Sequence, residues 1–243
     1  MSRVCFVSDL HLFADRSRAA EQHGDLLAAA RAADTLVLGG DIFDFRWSTH
    51  PSPQATADAA IAWLDRLHAD LPTQRIRYLL GNHDHAQPLI DALPGFCAAH
   101  PRLDWHGSFL RLGQTVFLHG DVADRPMTPE TFERRRSRSL HHGRRRRGPL
   151  SRAAYRAMLR TRMHEAVPRV VYPRRVAARR ILHYLDQIGQ RHGVRDVYYG
   201  HTHRAIEGFR HRGVTFHNAG APIGDQPLRC LRADVADDVV AAG

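Results

Sequence analysis

The chain has 243 residues, 43% hydrophobic and 25% charged, a balance that suits a globular protein and excludes a disordered or fibrous one. Nowhere do about 18 apolar residues run together, which excludes a transmembrane helix but not attachment to a membrane surface. The formal charge of +10 rests on 35 basic residues, all arginine, and is concentrated: residues 122–180 hold 18 arginines against four acids, the remainder 17 arginines against 21.

The apolar run Val4 to Val7 reads as a buried strand, and Asp9 comes too soon after it for a signal peptide's apolar region, so cytoplasm is the expected location. Helical spacing covers about Glu21 to Ala33, then Leu36 to Leu38 reads as a second strand. From Gln54 to Leu71 the residues Ile61, Leu64, Leu67 and Leu71 recur at three or four, predicting an amphipathic helix before a strand at Ile76 to Leu80. Alternating strands and helices predict a largely parallel sheet. Later the pattern changes: Leu103 to Leu118, ending in Val116 to Leu118, and Arg204 to Phe216 read as strands with tight turns at Gly107, Gly113 and Gly213. Between them Val122 to about Arg180 reads as an insertion, so residues 1–121 and 181–243 are the expected core and 122–180 an inserted basic cap. In it Arg152, Arg156 and Arg160 form one helix ridge beside an apolar stripe of Tyr155, Met158, Leu159 and Met163. Arg134 to Arg147, with Ser137, Ser139 and Gly143 between the charges, reads equally as a solvated loop or a polyanion contact. Helical spacing from Val176 to Ile188 leads back to a strand at Val197 to Tyr199. Cys5, Cys97 and Cys230 have no Cys-x-x-Cys spacing and read as buried thiols.

The strongest signal lies in the residues directly after the apolar runs: Ser8-Asp9-Leu10-His11, Gly40-Asp41-Ile42-Phe43-Asp44, Gly81-Asn82-His83-Asp84, His119-Gly120-Asp121 and Gly200-His201-Thr202-His203. In an open α/β sheet, ligands gather beyond the carboxyl ends of the strands, so these side chains can meet although almost two hundred residues separate them. Imidazoles, carboxylates and one amide oxygen form a mixed N/O set suited to first-row metal ions.

This ordered series resembles the motifs of the calcineurin-like metallophosphoesterases, and Asn218-Ala219-Gly220 is similar to a downstream turn of that family. The resemblance implies an α/β fold, a four-layer α/β/β/α sandwich with an inserted helical, arginine-rich cap. It also implies two divalent metal ions, manganese by expectation with iron or zinc as alternatives. Asp9, His11, Asp41 and His203 would hold one ion and Asp41, Asn82, His119 and His201 the other, with Asp41 shared. A hydroxide between the ions would attack the phosphorus in line. His83 would stabilise the transition state or protonate the leaving oxygen, with Asp84 orienting its ring. Asp44 and Asp121 stand where carboxylates would fix ligating histidines, although capping and solvation explain them nearly as well.

Within that superfamily the chain resembles the UDP-2,3-diacylglucosamine pyrophosphatases of lipid A synthesis in Ser-Asp-Leu-His-Leu, His119-Gly120-Asp121, the helical insertion after it, and Gly200-His201-Thr202-His203-Arg204. That resemblance implies release of UMP and a lipid monophosphate at the inner face of the membrane. Arg152, Arg156, Arg160 and Arg204 would bind substrate, and the arginines would meet anionic head groups. Two positions depart from that pattern: His83 replaces an arginine, and Ala205 replaces a proline. The alternatives are a phosphodiesterase or nuclease acting on nucleotides or nucleic acid, or a non-catalytic polyanion-binding module. For nucleic acid the insertion carries few aromatics to stack on bases.

Overall fold

The computed structural model describes residues 1–140, 172–236 and 239–243. The expected helix bearing Arg152, Arg156 and Arg160 with its stripe of Tyr155, Met158, Leu159 and Met163, and the run Arg144 to Arg147, lie outside the described residues.

Side chains alternate across a strand, and here both faces of the central strands are apolar. In β1 (Ser2–Val7), Val4 and Phe6 point to one side, Cys5 and Val7 to the other. β2 (Thr35–Gly39) repeats this with Val37 against Leu36 and Leu38, and β3 (Arg75–Leu79) with Leu79 against Ile76 and Tyr78. Such strands need cover on both faces. One cover is α1 (His23–Arg31), α2 (Pro53–Asp70) and α3 (Gln87–Ala99), which bury Leu26, Ala57, Leu64, Leu67, Leu89 and Leu93 against the first sheet. The other is a second sheet, whose Leu110, Phe117 and Tyr198 meet Val4, Phe6 and Val37. Phe6, Phe117 and Tyr198 form the aromatic centre of that layer, with ring centroids 5.3–5.9 Å apart.

The first sheet runs β10-β1-β2-β3-β4, with β1 to β4 (Leu103–His106) parallel and β10 (Leu231–Val235) antiparallel at the edge. The second is mixed, in the order β11-β5-β6-β7-β9-β8. Its strands are β5 (Phe109–Leu112), β6 (Thr115–Leu118), β7 (Asp196–Tyr199), β8 (Ile206–His211), β9 (Val214–Asn218) and β11 (Val239–Ala242). Only β6, β7 and β9 run parallel in it. Its outer face is covered by α4 (Pro129–Leu140) and α5 (Arg174–Gln187), through Phe132, Ala177, Ala178, Ile181, Leu182 and Leu185. The result is the expected α/β/β/α sandwich.

Two elements depart from expectation. α3 lacks a clear sequence signature because Pro88, Pro94 and Gly95 interrupt it; Pro88 sits in its first turn, where the missing N–H costs nothing. The boundaries expected at 121/122 and 180/181 cut through a packed layer, since Val122, Ala123, Met127 and Phe132 share one core with α5. Of the three thiols only Cys5 is fully buried; Cys97 and Cys230 are half-buried.

Candidate functional site

Loops leaving β1, β2, β3, β6 and β7 meet at one edge of the sandwich. Asp9, His11, Asp41, His201 and His203 all have left-handed backbone, with φ between 47° and 63°. For residues other than glycine that geometry costs of order 1–3 kcal/mol each and gathers at functional sites. Main-chain hydrogen bonds hold it: Asp9 N–H donates to Gly40 O (3.0 Å) and His11 N–H to Asp41 O (2.9 Å). The carboxylates lock the neighbouring loops. Asp41 Oδ1 accepts from His83 N–H (2.7 Å), and Asp9 accepts from His201 N–H through both oxygens (2.9 and 3.0 Å). The backbone approaches are so close that a Cβ at Gly81 or Gly200 would run into the Asp41 or Asp9 carboxylate.

Among the described residues donor atoms converge in three overlapping groups, Asp9 with His11 and His203, His11 with Asp41 and His83, and Asp9 with Asp41 and His119; within each, one ligand atom per residue lies within 4.8 Å of the others. His11 Nε2 stands 3.0 Å from His203 Nε2 and 3.9 Å from Asp41 Oδ2, and His203 Nε2 is 3.4 Å from Asp9 Oδ1. His119 Nε2 stands 3.2 Å from Asn82 Oδ1 and 3.4 Å from Asp41 Oδ1. The chemistry of this donor set fits a cation. His119 Nδ1 faces Gly39 O at 3.2 Å, so a proton there leaves three lone pairs, on Nε2, Asn82 Oδ1 and Asp41 Oδ1, turned towards one another. Only a positive charge makes that arrangement favourable. Burial opposes charge on the His119 ring, yet Asp41, Asp9 and Asp121 push its pKa up to about 10. The carboxylates that favour a proton at this position also favour a cation. His11 is the opposite case, pushed down to about 3 by burial and by Arg16, and is therefore a neutral donor.

His201 belongs to the same edge, its ring 5.3 Å from that of His119, but its Nε2 points to Asp124 Oδ1 at 2.6 Å. The seven expected ligand residues thus share one edge of the sandwich, although among the described residues His201 joins none of the converging donor groups and has Nδ1 as its remaining donor.

The expected orienter of His83 is corrected. Asp84 is fully buried and accepts from Ile42 N–H (2.9 Å), Tyr78 O–H (2.8 Å) and Gly81 N–H, tying the loops after β2 and β3 together. Burial and the nearby Asp41 push it up to about 6. His83 Nδ1 instead pairs with Asp44 Oδ1 at 2.9 Å. Asp44 Oδ2 lies 3.3 Å from His11 Nδ1, so one carboxylate serves both rings, and Arg16 reaches Asp44 Oδ2 (3.0 Å) and His11 Nδ1 (3.1 Å). Burial would lower His83, but Asp41 and Asp44 raise it above the ordinary imidazole value.

Asp121 is also reassigned: among the described residues its side chain bonds to no histidine, and it pairs with Arg136 of α4, at 3.1 and 3.2 Å. Arg136, in a run expected to be solvated, is 2% exposed. Arg204 is half-buried, its Nη1 donating to Tyr172 O at 3.4 Å. Asn218 braces the loop after β7 by donating to Gly200 O (2.8 Å) and Thr202 Oγ1 (3.2 Å). The sequence reading missed Arg16, Asp124, Tyr172 and Arg136. None lies in a repeated strand-end motif, and only the nearness of Asp124 to His119-Gly120-Asp121 offered a signal.

The sequence profile of the calcineurin-like phosphoesterases (Metallophos) matches residues 2–205. Among solved structures the chain is similar to Yfce, a phosphoesterase from E. coli, with 15% identity over 98% of this chain and 97% of that one, and a TM-score of 0.42. It is also similar to a dimetal phosphatase from Danio rerio, with 13% identity over 97% and 93%, and a TM-score of 0.48. No curated protein matches it.

Proposed function

The chain belongs to the calcineurin-like phosphoesterase family, and on that premise we propose that it is a two-metal hydrolase of phosphoester or pyrophosphate bonds. Its ions are divalent, manganese by preference with iron or zinc as alternatives, held by Asp9, His11, Asp41 and His203 and by Asp41, Asn82, His119 and His201. The observation that carries this reading is the convergence of possible metal-donor atoms from five strand ends. When bound, such ions supply Lewis-acid charge that lowers the pKa of water and offsets the charge of the phosphate. The chain's own residues do the rest. Asp44 holds Nδ1 of His83, leaving Nε2 to give a proton to the leaving oxygen. Arg16 steadies Asp44, and Asp84 keeps the loops after β2 and β3 in place.

The inserted segment bears on the substrate. Its two roots, at Arg135 and Tyr172, both reach Asp124 beside His201. That placement suits a segment that meets the substrate, and the motif resemblance makes that substrate UDP-2,3-diacylglucosamine, cleaved to UMP and a lipid monophosphate. Arg152, Arg156, Arg160 and Arg204 would then bind it, with the protein at the inner face of an anionic membrane. Among the described residues no helix is long and apolar enough to cross a membrane. His83 favours a second reading, a phosphodiesterase or nuclease acting on nucleotides or nucleic acid. A non-catalytic polyanion-binding module would not need an imidazole buttressed in this way.

The deciding experiment measures UMP release from UDP-2,3-diacylglucosamine by the manganese-loaded protein, with a chromogenic phosphodiester alongside and His119→Ala as control. Release of UMP by the wild type alone is the expected result. Cleavage of only the chromogenic diester keeps the hydrolase and rejects the lipid, while equal turnover by His119→Ala rejects the assigned centre.

A further inference from the structure

The inserted segment and the site share one carboxylate. Asp124 comes directly after the short 3-10 turn Asp121–Ala123, and Arg180 of α5 pins its main chain by donating to both Ala123 O and Asp124 O at 2.7 Å. Its Oδ1 accepts from His201 Nε2 at 2.6 Å and from Tyr172 O–H at 2.6 Å, and Oδ2 pairs with Arg135. Arg135 lies on α4, before residues 141–171, and Tyr172 comes directly after them. The side chain of Asp124 is 18% exposed, so these are sheltered contacts.

An ionised carboxylate only accepts hydrogen bonds, so the atom of His201 facing it carries the proton. The lone pair of the ring is then on Nδ1, the atom left to serve as a donor at the edge where His119, Asn82 and Asp41 converge. The Tyr172 ring lies edge-on to that of His201, with centroids 5.8 Å apart, and limits its rotation. We propose that Asp124 is a positioning residue: it fixes the Nε2–H tautomer and the direction of the His201 ring, and ties that ring to both roots of the inserted segment. The role as a metal-site device rests on the two-metal reading above. The tautomer does not.

The test therefore has two independent arms. In the metal-free wild-type protein, long-range 1H–15N correlation of the imidazole nitrogens, assigned by comparison with His201→Gln, should show His201 as the Nε2–H tautomer. A predominant Nδ1–H form overturns the proposal without any variant. In Asp124→Ala the tautomers should mix. Manganese titration by calorimetry should then show one of two sites weakened about 10- to 100-fold, the effect typical of losing a partner that orients a ligand. Asp124→Asn keeps an acceptor oxygen and should hold that loss to within a few-fold. An Asp124→Ala protein that keeps the tautomer and both affinities within twofold refutes the assignment. If the wild type takes up fewer than two ions, the two-metal reading fails, and the tautomer alone judges Asp124.

Discussion

Arg136 offers the sharpest test of how α4 is attached. Its guanidinium donates to Asp121 Oδ1 (3.1 Å) and Oδ2 (3.2 Å), to Leu80 O (3.0 Å) and to Gly107 O, and it lies over the Phe132 ring at 4.4 Å. One side chain thus joins the helix to the ends of β3 and β4 and to the loop holding His119. Arg136→Ala leaves Asp121, 1% exposed, as a buried carboxylate without its partner. Breaking a buried pair from one side costs about 3–5 kcal/mol. The two orphaned carbonyls keep the loss at the upper end, since each unsatisfied buried acceptor costs about 1–3 kcal/mol unless water fills the gap. In a chain of this size 1 kcal/mol moves Tm by roughly 2–4 °C, so a loss of about 5 kcal/mol lowers it by about 10–20 °C. Arg136→Met combined with Asp121→Leu removes both charges and should be more stable than Arg136→Met alone, because it leaves no unpaired carboxylate. Thermal and urea unfolding of the four proteins measure this. A loss below about 1 kcal/mol in Arg136→Ala, or no recovery in the double variant, would show that the helix is not docked through this pair.

The site yields two further expectations and the thiols one. Asp44→Ala releases both His11 and His83, so it should weaken metal binding about 10- to 100-fold as well as slow turnover, read by metal titration. His83→Ala should keep its metal and lose about 10²–10⁴ in rate, most with poor leaving groups, and metal loss instead would make His83 a ligand. Cys5 is buried against Cys230, which raises its pKa and lowers that of Cys230, while burial and then Asp104 push Cys97 up to about 11. Thiolate is the reactive form. Alkylation at pH 8 should therefore modify Cys230 before Cys97 and Cys5, and Cys97 should react faster as pH rises towards 11. Mass spectrometry showing Cys5 modified first refutes the assignment.

Much of the sandwich was legible because its central strands are apolar on both faces and end in chemically similar turns. A single side chain such as Asp9 or His201 carries little information, but five strand ends with metal donors in order restrict the sheet edge strongly. β10 was written just as plainly in its alternation, with Leu231, Ala233 and Val235 buried between exposed Arg232 and Asp234. It escaped notice because a five-residue strand with two charges resembles a loop.

The pairing of carboxylates with imidazoles stayed hidden. Asp84 is adjacent to His83 in sequence, whereas Asp44 is 39 residues away, so proximity along the chain favoured the wrong partner. In a turn leaving a strand, neighbouring side chains diverge, and Asp84 is drawn back to the N–H groups of Ile42 and Gly81. The carboxylate that reaches the ring must then come from another loop, and only the packing of β2 beside β3 brings Asp44 within 2.9 Å. The same reasoning covers Arg136 and Asp124. Composition marked the segment after His119 as a cloud of exposed charge, yet one of its arginines is a core residue and one acid contacts His201. Charge density along a chain measures how many ionic groups must be solvated or paired. It does not say which of them the fold will pair.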